Sequence, residues 1–210
     1  MILGALAKAE SPYLILDIGT GTGVLALMMA QKFADAQITA IDLDAEALID
    51  CQRNFEESPW SERMHCFHQD VLSFPAHQKF DLIICNPPFY EQSLKSDSQR
   101  MNAAKHTSED FLVALFAKSK ELLSPNGVFW IILPSENFKY WKDVAQRLNL
   151  FVQDEIIVQS KAEIPKRCVG SFKLLENRIC SSTNFVIRNL DNSYTKEYIE
   201  LTKKFHCKNL

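Results

Sequence analysis

The sequence predicts an α/β fold: one doubly wound, mostly parallel sheet closed by a C-terminal antiparallel hairpin. Three observations predict it. Short apolar runs rich in β-branched residues alternate five times with stretches of helical spacing. The first run, Tyr13-Leu14-Ile15-Leu16-Asp17, empties into a glycine-rich loop that opens a helix, the strand–loop–helix entry of a nucleotide-type site. Two late β-rich runs, 150–159 and 167–175, are separated only by residues 160–166. That link is too short for a parallel crossover, so the runs pair as a hairpin.

The 210 residues suffice for one domain with a sizeable core, and 47% hydrophobic with 23% charged residues is ordinary globular composition. A single domain over residues 1–210 is expected. The net charge of −3 advertises no global field for nucleic acid, so such binding requires a local basic patch. Six scattered cysteines form no C-x-x-C pair and read as reduced thiols, which points to the cytoplasm. The sequence carries no apolar run of membrane-spanning length and no signal-peptide pattern. A monomer without metal is expected. His65 and His68 are three apart on a strand and face opposite sides, and no cysteine–histidine cluster has ligand spacing.

After Asp17 comes Gly19-Thr20-Gly21-Thr22-Gly23, then a helix over residues 24–33. The glycines let backbone pass close to a ligand at a helix N-terminus. The spacing is not G-x-G-x-x-G, and Asp17 repels phosphate while it accepts bonds from an ammonium. A cofactor with an amino-acid tail fits better than a diphosphate. Strand 37–42 ends in Asp42, about 20 residues past the loop, where an acid meets ribose hydroxyls. Asp44 reads as the cap of a helix over 45–55. A third strand over 64–71 carries another acid, Asp70, at its end.

The fourth strand, 80–85, stops at Asn86-Pro87-Pro88-Phe89. Ligands bind beyond the carboxyl ends of such strands. There an Asn carbonyl, a neighbouring backbone carbonyl and an aromatic plate suit a planar NH2 group on a flat ring. A stiff Pro-Pro turn with Phe89 in the core is the competing reading. Residues 91–107 are polar and aperiodic, a long loop or lid. A helix over 108–123 buries Phe111, Leu112, Leu115 and Phe116; Ser124-Pro125-Asn126-Gly127 turns into strand 128–134, followed by a helix over 137–148. A strand over 183–188 and an amphipathic helix over 193–204 complete the chain.

Asp17-x-Gly19-x-Gly21-x-Gly23, the strand-end acids Asp42 and Asp70, and Asn86-Pro87-Pro88-Phe89 together resemble class I S-adenosylmethionine-dependent methyltransferases of the N-P-P-[YF] type. That resemblance implies the Rossmann-like fold of the class. More narrowly, residues 86–90, 100–106, 166–169 and 198–208 are similar to bacterial tRNA adenine-N6 methyltransferases acting beside the anticodon of a valine tRNA. The resemblance implies S-adenosylmethionine held by Asp17, Gly19, Gly21, Gly23, Asp42, Leu43, Asp70, Val71 and Asn86. It implies catalysis at Asn86, Pro87, Pro88 and Phe89, and tRNA as substrate. Candidate RNA contacts are Lys95, Arg100 and Lys105 on the lid, with Lys161, Lys166 and Arg167 in the hairpin turn.

The chain departs from that family in starting without the basic, aromatic N-terminal segment its members normally carry, and in having Phe89 where tyrosine is common. Three other readings stay open. Glutamine-N5 methyltransferases of release factors and guanine-N2 rRNA methyltransferases share the tetrad, usually with an additional domain. A non-catalytic RNA-binding module with this fold is the third. A nicotinamide oxidoreductase fits the glycine spacing worst.

Overall fold

The structure, a computed structural model, describes residues 1–87, 98–161, 165–176 and 181–206, with 98–108 and 165 described by backbone alone. Eight strands form one sheet: β1 (Leu14–Ile18), β2 (Gln37–Asp42), β3 (Met64–His68), β4 (Phe80–Cys85), β5 (Leu123–Pro134), β6 (Phe151–Gln159), β7 (Pro165–Lys173) and β8 (Ser181–Val186). Their order is β3-β2-β1-β4-β5-β7-β6-β8. The first five are mutually parallel, β7 runs antiparallel to both β5 and β6, and β8 lies parallel to β6. The doubly wound sheet and its hairpin are therefore as the alternating pattern implies.

Among the described residues six α-helices cover the two faces: α1 (Ile2–Leu6), α2 (Val24–Lys32), α3 (Ala45–Glu56), α4 (Ser98–Leu122), α5 (Phe138–Arg147) and α6 (Lys196–Thr202). One core layer joins α1, α2 and α3 to Ile15, Ile38, Leu82 and Trp130, with α6 packed at its margin. The other joins α4 and α5 to Leu16, Ile83, Phe129 and Phe172. Here Phe116 stacks face-on with Trp141 at 6.0 Å and meets Phe129 and Phe172 edge-on. Each such fully buried aromatic stabilises the fold by about 1.5–3 kcal/mol.

Polar pins fix the ends of elements. Lys32 donates to the carbonyls of Ala5 and Ala7 at the end of α1, and Trp130 Nε1 donates to Lys8 O. Arg63 reaches the carbonyls of Ala30, Phe33 and Ala36, closing the end of α2. Asp81 accepts the amides of Tyr13 and Leu14 and the Ser124 hydroxyl, tying the start of β1 to β4 and β5.

Three expectations need correction. The polar stretch assigned to a lid is helical from Ser98, so α4 begins ten residues before the expected position 108. Residues 98–107 hold no Gly or Pro and several good helix formers, and propensity prevails there without an apolar stripe. The third strand ends at His68, whose last partner is Asp42; Asp70 instead caps a short 3-10 turn over Val71–Ser73. The turn expected at residues 124–127 lies inside β5 as an irregularity, where pairing jumps from Phe80–Leu123 to Leu82–Val128. Helix α1 follows from no periodicity, since five residues are too few to show one.

Candidate active site

The parallel strands β1, β2 and β4 end at one rim, with Ile18 opposite both Ile41 and Cys85. The glycine loop turns over that rim with positive φ at Gly19 (+68°), Gly21 (+56°) and Gly23 (+86°). These three do different work. A Cβ on Gly19 or Gly21 would meet nothing within 4 Å, so both border open space. A Cβ on Gly23 would strike Phe55 Cε1 at 2.6 Å and Cys51 Sγ at 2.9 Å. Gly23 is thus a packing position under α3, where only a residue without a side chain fits.

The loop is held by the strand ends. Gly19 and Thr20 amides donate to Ile41 O, and the Gly21 amide donates to Asp42 Oδ2 at 2.7 Å. Asp42 Oδ1 accepts the Asp44 amide. Each carboxylate oxygen keeps a lone pair for a ribose hydroxyl. Asp44 caps α3 through the Glu46 and Ala47 amides, as its position implies.

Asp17 is fully buried at the last turn of β1. Its Oδ2 accepts the Thr20 hydroxyl at 2.6 Å and the Ala26 amide at 3.1 Å, while Oδ1 is buried without a partner among the described residues. Burial pushes the carboxyl up to about 7, the bonds from Thr20 and Ala26 oppose it, and the charge of Asp42 adds to it. A buried acceptor lacking a donor is costly, and an ammonium supplies the missing one. Thr20 was not among the expected site residues; a hydroxyl three positions after the acid is its only sequence signal.

Asp70 accepts the Leu72 amide and is half-buried. Val71, expected at the cofactor, is 5% exposed and packs in the core. Leu43 at 64% and Leu72 at 41% are exposed apolar groups close in sequence to Asp42 and Asp70, of the kind that meets the face of a flat ring.

Asn86 follows β4 directly and is exposed, while Pro87 beside it is buried. Pro88, Phe89 and Lys95 lie outside the described residues, as do the side chains of Arg100 and Lys105. The hairpin turn reaches the same rim, because Pro134 at the end of β5 pairs with Arg167 at the start of β7. Lys166 is exposed and Arg167 half-buried. Lys161 lies beside Asp191, whose carboxyl is held low by the Ser193 hydroxyl and amide, with the Lys161 charge adding to them. Among the described residues no group of His, Cys, Asp or Glu could hold a metal. No described helix is long and apolar enough to cross a membrane.

Residues 1–150 match the family model of the methyltransferase small domain. A protein of Phocaeicola vulgatus, described as tRNA1(Val) (adenine(37)-N6)-methyltransferase, is 37% identical over 98% of this chain and 88% of its own length. A Vibrio cholerae protein of the same description is 35% identical over 99% and 86%. Among solved structures, a predicted O-methyltransferase from Agrobacterium tumefaciens superposes with a TM-score of 0.73, covering 99% of this chain and 98% of that one, at 13% identity.

Proposed function

Because this chain belongs to the methyltransferase small-domain family, we propose that it methylates N6 of an adenine in tRNA, next to the anticodon of a valine tRNA, with S-adenosylmethionine as donor. The observation that carries the reading is the exposed Asn86 at the end of β4, on the rim that also holds the open glycine cradle and the partnerless Asp17 Oδ1. The cofactor supplies an electrophilic methyl group. Residues 1–210 act as one domain, since β6–β8 extend the sheet begun in the matched region.

Asp17 receives the ammonium of the cofactor's amino-acid tail, Asp42 its ribose hydroxyls, and Asp70 lies near the adenine amine between Leu43 and Leu72. Asn86 Oδ1 and the Pro87 carbonyl accept the two N–H bonds of the target amine. Its lone pair is delocalised into the base and poorly nucleophilic. Accepting a hydrogen bond from each N–H draws the nitrogen toward tetrahedral geometry and aims the lone pair at the methyl group. These bonds strengthen as positive charge builds on nitrogen, so they favour the transition state over the ground state. Once methylated, the nitrogen loses its proton readily and no dedicated base is required. Phe89 stacks on the base, worth about 1–3 kcal/mol, and leaving an anticodon loop costs less than leaving a duplex. The relatives' descriptions favour tRNA over the ribosomal and release-factor targets.

The test is mass spectrometry of nucleosides from valine tRNA of a strain lacking the protein. N6-methyladenosine should disappear and return with the wild-type gene. Its persistence in the deletion strain would overturn the assignment.

A further inference from the structure

The rim is divided by charge. Over β1, β2 and β3 its acids open to solvent are Asp42, Asp44 and Asp70, which repel a polyanion, against Glu136 alone in residues 134–140 of the β5–α5 corner. RNA therefore approaches over β5 and β7, where the β5–α5 corner lies beside the hairpin turn. Helix α5 begins one 3-10 turn after Pro134, the residue paired with Arg167. Phe138, Trp141, Val144 and Ala145 face the core, which fixes Lys139 and Tyr140 on the solvent side of the first turn; both are exposed, Tyr140 by 45%.

Tyr140 is not a loose surface side chain. Its ring meets Trp141 edge-on, with centroids 4.9 Å apart at 73°, and Trp141 stacks on Phe116 of α4. Lys142, on the other flank of α5, is engaged with Glu155 of β6. Tyr140 therefore lies on the α4 side, the side of β4 and Asn86. A braced aromatic with one open face, next to an exposed lysine, is the pairing by which single-stranded nucleic acid is gripped: base on ring, phosphate on cation. Ordering cost is low because Trp141 already limits the ring.

We propose that Tyr140 stacks on a nucleotide neighbouring the target adenine, with Lys139 meeting an adjoining phosphate. This rests on the reading of the chain as a tRNA methyltransferase and adds a positioning residue outside the Asn86 tetrad.

The experiment measures binding of a labelled valine-tRNA anticodon stem–loop by fluorescence anisotropy, with S-adenosylhomocysteine affinity measured in parallel. Tyr140→Ala should weaken RNA binding about 5- to 100-fold, the range for loss of one stacked base, and leave S-adenosylhomocysteine affinity unchanged. Tyr140→Phe and Tyr140→Trp should stay within about twofold of wild type, since the ring and not the hydroxyl is used. Tyr140→Leu keeps bulk against Trp141 without an aromatic face, so it separates stacking from packing. Loss in the Leu variant with rescue by Phe supports the proposal. Wild-type RNA affinity in the Ala or Leu variant, or a Phe variant as weak as Ala, overturns it. A wild-type protein that binds S-adenosylhomocysteine but neither binds nor methylates the tRNA overturns the parent reading, and this proposal with it.

Discussion

Thr20 donates its hydroxyl to Asp17 Oδ2 at 2.6 Å, and Oδ1 of the same carboxylate is buried without a partner among the described residues. One oxygen thus braces the glycine loop. Under the proposed function the other takes the cofactor's ammonium, and binding then depends on protonation.

Burial places the Asp17 carboxyl at about 7, above the 3.8 of an exposed aspartate. The group therefore favours the folded state below pH 3.8, and that contribution is lost as pH rises through 7. Under the proposed function the ionised form pairs with the ammonium far better than the neutral acid does. S-adenosylhomocysteine affinity should rise between about pH 5.5 and 7, by up to about tenfold per unit, and level off above. Calorimetry should show this slope in the wild type and none in Asp17→Asn; an equal slope in the variant removes the assignment.

The glycines should separate by effect. Gly23→Ala forces a methyl into Phe55 and Cys51 at a left-handed φ and should cost about 2–4 kcal/mol of folding stability, combining overpacking with backbone strain. Gly21→Ala meets only open space, so its cost should be about 1–2 kcal/mol of strain. Under the proposed function its methyl enters the cofactor's volume, however, and affinity should fall about tenfold or more. Thermal melts and calorimetry on both variants check the contrast.

Asn86→Ala should abolish methyl transfer while S-adenosylhomocysteine affinity stays within about threefold, because the lost acceptor acts on the target amine. Single-turnover methylation of tRNA beside a cofactor titration measures both. Near-normal transfer would reduce the tetrad to a turn.

Reversing Lys166 and Arg167 to glutamate should weaken tRNA binding and flatten its dependence on log salt by about 0.7–0.9 per lost phosphate contact. Cofactor affinity should not move. A full slope in the double variant would place the RNA elsewhere on the surface.

The parallel half of the fold is legible because most of its strands read as short β-rich runs closed by a loop signal; Gln37–Asp42 and Phe80–Cys85 fall where the sequence puts them. What pattern missed depends on three-dimensional neighbours. Nothing in G-x-G-x-G says that Gly23 faces Phe55 while Gly19 faces space. Val71 and Leu72 are adjacent aliphatic residues, and only the 3-10 turn after Asp70 decides which is buried. The start of α4 was missed because its first turns carry helix propensity without an apolar stripe.

Strand β7 runs against its neighbours, and this decides how the rim is furnished. In a strictly parallel sheet, each connection leaving the rim must carry the chain back across a face before the next strand. The reversed strand brings the β6–β7 turn to the working edge directly, beside the β5–α5 corner. Neither segment shares backbone with the glycine loop or the acids of β1 and β2. Under the proposed function the acceptor side is therefore modular: its residues are free to be exchanged, and target choice redrawn, without retuning the grip on the methyl donor.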